Sequence, residues 1–247
     1  MTEFPFAVIN DLHYMGAATR PPLDSLVDQL NRSDAELVLV LGDLAELGSR
    51  EELSTAREIL ARLRVPFYPV PGNHDGPPDR PIGSGSAGLA IYDALFPDRR
   101  NYFFVHKGWQ FLALDTTNGS GYQGVPLSEE TRRFAKRAAA DLDSKLPTIL
   151  FTHFPLHPDV KYTLAEGPAL LQLLAPLNLR IVFSGHFHGL TENTLPAPFP
   201  RHLKLLTNRC CSPTREIHEN SNLRGYFSCR TRGDGSVAYL FVPAPGV

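Results

Sequence analysis

The sequence predicts an α/β fold: two mixed β-sheets packed face to face with helices on the outer faces, a four-layer αββα sandwich. Three observations lead there. Short apolar runs alternate with helically spaced segments through most of the 247 residues. Several of these runs lack polar alternation, the mark of strands covered on both faces. The chain then ends on strand-like segments joined by Gly233-Asp234-Gly235, which reads as an antiparallel finish.

Taken in order, Phe6-Ala7-Val8-Ile9 is the first buried strand, and residues 23–32 carry Leu23, Leu26, Val27 and Leu30 at helical spacing. Residues 37–41 are a continuous apolar strand. A helix over 50–63 follows, with Leu53, Ala56, Ile59, Leu60 and Leu63 on one stripe, and then a short strand at 67–70 that Pro69 weakens. Strand–helix–strand–helix–strand implies right-handed crossovers and a largely parallel sheet. Residues 76–88, rich in Gly, Pro and Ser, form a long loop of the kind that carries function or moves. Residues 102–105 and 109–114 flank His106-Lys107-Gly108 as a hairpin, and a helix begins near Ser128 with Glu129 and Glu130 in its first turn. Strands at 148–152 and 180–184 bracket a helix at 168–177, and strands at 203–207, 226–230 and 237–242 complete the chain. No repeat or linker divides it, so it reads as a single domain over 1–247.

Lys+Arg 24 against Asp+Glu 26 leaves a net charge of −2, which argues against a nucleic-acid binder working through bulk electrostatics. No apolar run approaches the roughly 18 residues of a membrane span, and no basic-then-apolar leader is visible. The three cysteines, Cys210, Cys211 and Cys229, have no CxxC spacing and make no disulfide framework. The expectation is a cytoplasmic protein, with the number of subunits, one or several, left open.

Five short motifs sit just beyond five apolar strands: Asp11-Leu12-His13, Gly42-Asp43, Gly72-Asn73-His74-Asp75, Thr152-His153 and Gly185-His186-Phe187-His188. Ligands of open α/β sheets bind beyond the carboxyl ends of strands, so all five can converge on one crevice. Side chains at i and i+2 of an extended segment share a side, so Asp11 with His13, and His186 with His188, each aim two groups at one place. Singly, each motif has a plain explanation: a turn, a helix cap or a satisfied core histidine. Five in order, each at a strand end, do not.

This ordered set resembles the calcineurin-like metallophosphoesterase superfamily, whose pattern is D-x-H, GD, GNH(D/E), H and GHxH. The size and the GNHD variant look most like bacterial cyclic-nucleotide or glycerophosphodiester phosphodiesterases. The resemblance implies two metal ions, one held by Asp11, His13, Asp43 and His188, the other by Asp43, Asn73, His153 and His186. A donor set of oxygen and nitrogen without thiolate suits Mn, Fe, Zn or Co. The implied activity is hydrolysis of small phosphate esters, by a hydroxide held between the ions, with phosphodiesters and cyclic nucleotides favoured. A phosphomonoesterase or nucleotidase needs the same metal clamp, and a non-catalytic scaffold on this fold is the remaining alternative. His74 is expected to protonate the leaving oxygen or to contact a phosphoryl oxygen, with Asp75 as its local orienter or a helix cap. Glu46 stands where relatives often carry an Asp paired with the histidine, and where purple acid phosphatases carry a metal-binding Tyr. His157 is read as a loop residue near the site, Cys210 and Cys211 as packing, and His106, His202 and His218 as surface or core. Arg20, Arg80 and Arg209 are the cations nearest the motifs in sequence. Asn222, Arg224 and Tyr226 are candidates to approach the site from the C-terminal strands.

Overall fold

The computed structural model describes residues 2–200, 203–219 and 221–244. The first sheet has the order β11-β10-β1-β2-β3, built from β1 (Pro5–Ile9), β2 (Val38–Val40), β3 (Phe67–Pro69), β10 (Gly225–Thr231) and β11 (Val237–Pro243). β1, β2 and β3 are parallel, and β10 and β11 add on as antiparallel strands beside β1. The second sheet has the order β4-β5-β6-β7-β9-β8, from β4 (Tyr102–His106), β5 (Trp109–Leu114), β6 (Pro147–Thr152), β7 (Asn178–Ser184), β8 (Thr191–Asn193) and β9 (Lys204–Thr207). Its four central strands are parallel, and antiparallel β4 and β8 close its two edges.

Three apolar layers hold the sandwich together. Between the sheets lie Phe6, Val8, Leu39, Phe111, Phe151, Phe183 and Phe227. On the outer face of the first sheet, Ala7, Ile9, Val38 and Val40 meet the stripes of α1 (Arg20–Arg32) and α2 (Arg50–Leu60), with α3 (Ala90–Leu95) beside them through Tyr92. On the outer face of the second sheet, Leu112, Leu150 and Val182 meet α4 (Glu129–Asp141) and α5 (Gly167–Leu173). Alternate residues of β1 thus face two different cores, which is why that strand reads as an unbroken apolar run.

Two helices begin where a side chain partners their free amides. Ser49 and Glu52 make a capping box on α2, and Ser128 caps α4 through the amide of Thr131. Pro69 is tolerated because β3 is an edge strand. Two elements were not expected. α3 is six residues long and β8 three, too short to show a period. β10 and β11 extend the sheet that holds β1, while β9 joins the second sheet, and Tyr226 is buried in the first outer core.

The registers place the carboxyl ends of the parallel strands together. Ile9 pairs with Val40 and Val40 with Pro69, while Leu114 pairs with Thr152, Phe151 with Phe183 and Ser184 with Thr207. The residues that follow these ends are Asp11, Asp43, Asn73, His153 and His186.

Candidate active site

Beyond the strand ends the chain turns abruptly. Asp11, His13, Asp43, His186 and His188 all have positive φ, between 42° and 66°. This left-handed conformation costs a non-glycine residue energy, and such outliers cluster at functional sites. The turns are held by backbone bonds that continue the β1–β2 ladder past the strands, with the amides of Asp11 and His13 donating to the carbonyls of Gly42 and Asp43 at 3.0 and 2.9 Å. The glycine of the third motif is required by space: a Cβ on Gly72 would lie 2.1 Å from Asp43 Oδ1.

The result is two buried groups of side chains that share one carboxylate. Asp11, His13, Asp43 and His188 form the first, and Asp43, His153 and His186 the second; within each, the candidate ligand atoms lie within 4.8 Å of one another. Asn73 joins the second group, its Oδ1 3.0 Å from His153 Nε2. Asp43 Oδ2 stands 3.5 Å from His13 Nε2 and 3.4 Å from His153 Nε2. The structure thus brings the residues of both expected sets together around Asp43.

Each imidazole is oriented from behind. His153 Nδ1 donates to Leu41 O at 2.8 Å, His186 Nε2 to Tyr122 O at 2.8 Å, His188 Nδ1 to Glu216 O at 3.2 Å and His74 Nδ1 to Glu46 O at 2.7 Å. His13 Nδ1 faces Glu46 Oε2 at 3.2 Å. Such partners fix the tautomer and leave the opposite nitrogen with a lone pair facing inward. Inward nitrogens then crowd one another: His13 Nε2 is 3.2 Å from His188 Nε2, and His186 Nδ1 is 3.2 Å from His153 Nε2. Asp11 Oδ1 is buried with no hydrogen-bond partner. Lone pairs converging in a buried space, with an orphaned carboxylate oxygen among them, fit a pair of cations.

The electrostatics agree. Burial raises the carboxyls of Asp11 and Asp43, yet the surrounding histidines outweigh it, bringing Asp11 down to about 2 and Asp43 well below the usual range. Burial, helped by His153, lowers His186 to about 3, and burial also lowers His13. A lowered value favours the neutral ring, the form in which imidazole binds metal. His188 is raised, because Asp11 overcomes the effect of burial.

A cavity of about 240 Å³ opens on this cluster, reached by Asp43, His74, His186 and His188 and walled by Tyr122, Tyr162, Arg215 and His218. Another surface cleft, about 730 Å³, lies apart from it and is lined by none of the motif residues.

Several sequence expectations place differently. Asp75 does not orient His74: its Oδ1 accepts from the amides of Leu44 and Ala45 and its Oδ2 from Gly72, tying the second motif to the third. Burial, reinforced by Asp43, raises its carboxyl to about 8. Glu46 does sit at the site, pairing with Arg215 and facing His13. Arg80 is buried away from the cavity, donating to Gly119 O at 2.8 Å, and Arg20 and Arg209 are paired with Asp24 and Glu219. The loop 76–88 is pinned to the segment 118–120 through Gly83, Gly85 and Ser120. His157 is buried in its own turn, its Nδ1 accepting from Asp159 N. His106 pairs with Glu36, and His202 lies outside the described residues. Cys210 and Cys211 are buried packing residues whose thiols are pushed up by burial, Cys211 to about 12. Arg224 supports the wall, donating to the carbonyls of Ser212 and Arg215. Sequence reasoning missed Tyr122, Tyr162 and Arg215 and misplaced His218. All four sit in connections with no periodic signal.

The sequence matches the family model of calcineurin-like phosphoesterases over residues 4–190. It is 27% identical over 199 residues to a probable cyclic nucleotide phosphodiesterase of Synechococcus sp., covering 74% of this chain and 72% of the relative. It is 28% identical over 183 residues to a glycerophosphodiester phosphodiesterase of Enterobacter lignolyticus, covering 67% of this chain and 61% of that protein. Among solved structures, a dimetal phosphatase from Danio rerio shares the fold with a TM-score of 0.67 and 18% identity, over 98% of this chain and 99% of that one.

Proposed function

The chain belongs to the calcineurin-like phosphoesterase family, and we propose that it is a dinuclear-metal phosphohydrolase that cleaves small phosphodiesters, cyclic nucleotides among them. The observation that carries this reading is the pair of buried ligand groups meeting at Asp43. Asp11, His13, Asp43 and His188 would hold one ion, and Asp43, Asn73, His153 and His186 the other. Oxygen and nitrogen donors, with all three thiols elsewhere, suit Mn, Fe, Zn or Co. Two such ions, when bound, supply Lewis acidity toward phosphoryl oxygens and a nucleophile from water at neutral pH.

The chain's own residues position and protonate. The carbonyls of Leu41, Tyr122 and Glu216 hold the three ligand rings of His153, His186 and His188, so their orientation is set before substrate arrives. His74 lines the cavity with Nδ1–H committed to Glu46 O, so that in its imidazolium form Nε2–H would donate the proton to the leaving oxygen. The diester preference is supported by the scarcity of positive charge around the cavity. A phosphomonoester dianion calls for more cations than one arginine already paired with a carboxylate. Among the described residues no helix is long and apolar enough to cross a membrane. Three buried free thiols suit a reducing compartment, which supports a place in the cytoplasm.

The test is an assay of the protein reconstituted with Mn, comparing an aryl phosphomonoester, an aryl phosphodiester and a cyclic nucleotide at neutral pH. Diester turnover equal to or above monoester turnover is expected. A strong monoester preference moves the assignment to a phosphatase, and no turnover of any ester moves it to a scaffold.

A further inference from the structure

Beyond the five motifs, the cavity is walled by residues that no motif contains. Arg215 and His218 come from the connection between β9 and β10, outside the residues that match the family model. Among the described residues lining the cavity, Arg215 is the one with a permanent positive charge. Its placement is built. Nε donates to Glu46 Oε2 at 3.1 Å and Nη2 to Glu46 Oε1, a two-pronged grip on one carboxylate. Arg224 holds its carbonyl at 2.6 Å. Nη2 also lies 3.3 Å from His74 Nδ1, so the guanidinium rests against the ring of the expected proton donor. Among the described residues, no hydrogen bond occupies its third nitrogen, Nη1.

The rest of the added wall is aromatic. The Tyr122 and Tyr162 rings meet edge to face at 5.7 Å, and Tyr162 lies 5.7 Å from the His218 ring. Tyr122 is 62% exposed, a large apolar surface at the mouth with little covering it. Tyr162 and His218 stand over the ligand rings, with centroids 6.1 Å from His186 and 6.0 Å from His188. The cavity thus has a cationic corner beside His74 and an aromatic wall over His186 and His188.

We propose that these form a substrate subsite: Arg215 Nη1 binds the charged non-bridging oxygen of a phosphodiester, and Tyr122, Tyr162 and His218 receive its retained arm, a planar aromatic group. The charge balance selects the monoanion. Glu46 cancels much of the guanidinium's field, so a second negative charge on the ligand gains little there. The aromatic wall selects a flat arm, because ring–ring contacts reward planar partners over a methyl group. Glu46 acts as a positioning residue for Arg215. This inference rests on the phosphoesterase reading above, but its test is a binding measurement and needs no turnover.

The Mn-loaded protein is titrated calorimetrically with diphenyl phosphate and with dimethyl phosphate, with metal content and melting temperature recorded for each variant. Arg215→Gln is expected to weaken both ligands by about 10- to 100-fold, the size of one charge-assisted hydrogen bond, with metal content unchanged. Arg215→Lys keeps the charge without the fork and is expected to lose about threefold or more. Tyr162→Leu is expected to weaken diphenyl phosphate by about 2- to 10-fold and leave dimethyl phosphate unmoved. Wild-type affinity in either Arg215 variant overturns the cationic corner, and equal losses for both ligands in Tyr162→Leu overturn the role of the aromatic wall. Failure of the wild type to bind diphenyl phosphate overturns both. If binding follows these expectations while bis(4-nitrophenyl) phosphate is not turned over, the subsite stands and the hydrolase reading falls.

Discussion

Gly72 offers the sharpest test of how the centre is assembled. Its φ is ordinary, so alanine is acceptable to the backbone itself, and the whole effect of Gly72→Ala comes from one added methyl. That methyl would lie 2.1 Å from Asp43 Oδ1, 2.2 Å from Asp43 N and 2.7 Å from Asp43 Cγ. Ordinary contact begins at 3.4 Å, so the carboxylate oxygen must retreat by about 1.3 Å, the difference between 3.4 and 2.1. It cannot move alone, because Oδ1 accepts the amide of His74 at 2.9 Å and Asp43 N is backbone. A misplacement of about 1 Å at reacting groups costs about 10²-fold in rate, and overpacking costs about 1–3 kcal/mol. For a chain of this size that is a fall of about 2–12 °C in Tm. The assay is kcat/KM on an aryl diester with elemental analysis of the reconstituted protein, and both metal content and rate are expected to drop. Gly233→Ala is the control, since its Cβ would meet only Glu3 Oε1 at 3.8 Å. Gly72→Ala with two metal equivalents and wild-type turnover would refute the idea that Asp43 holds both ions.

Three further outcomes are expected. Asp43→Asn removes the charge shared by both ligand groups and is expected to lose most activity and at least one metal equivalent; full occupancy by elemental analysis with wild-type turnover counts against a dinuclear centre. His74→Ala is expected to keep both metals and the fold while slowing turnover by about 10²–10⁴-fold. Its defect should grow as the leaving-group pKa rises, and a flat dependence across leaving groups would mean that His74 only holds the phosphoryl group. Asp75→Asn keeps the shape but places an amide NH₂ opposite an N–H that now donates to a carboxylate oxygen, either Gly72 or the Leu44–Ala45 pair. The expected cost is about 1–3 kcal/mol, seen as a lower Tm with a similar leaving-group dependence. An unchanged melting curve would show that Asp75 does not tie the two loops.

The ligand residues were legible because physics writes them twice. A strand buried on both faces must be apolar throughout, so β1, β2, β6 and β7 stand out in the sequence. The polar residue that breaks each run marks the sheet end at which parallel strands deliver their side chains. Asp11, Asp43, His153 and His186 all carry that double mark. The cavity wall carries neither. Arg215 and His218 lie in a connection without regular structure, and Glu216 contributes only a carbonyl, which any residue has. Asp75 misled for a related reason: adjacency to His74 in sequence suggested a partner, but the turn at Gly72 faces its carboxylate toward three amides. Arg80, the one cation of loop 76–88, folds its side chain inward to fasten the segment that leads to Tyr122.

That division has a physical basis. Five of the seven candidate ligands sit at positive φ, where the chain turns from the strand axis into the cavity within one residue. Such turns persist only where their surroundings over-determine them, and here they do. The amides of Asp11, His13 and Tyr14 donate in succession to the carbonyls of Gly42, Asp43 and Leu44, so the strained loops remain laddered to each other. His186 N donates to Asp11 Oδ2 at 2.9 Å, and Gly185 N to His153 O, linking the loops of the second sheet to each other and to the first. Loops bonded in this way can hold seven ligands in place, but they leave little freedom to fit different ester arms. In the proposed subsite, selectivity falls to groups attached from outside the network, on Tyr122, Tyr162, Arg215 and His218. Arg215 reaches back to it through Glu46, whose carbonyl and carboxylate also face His74 and His13. Glu46 therefore joins the cavity wall at Arg215 to His74 and His13 of the buried cluster.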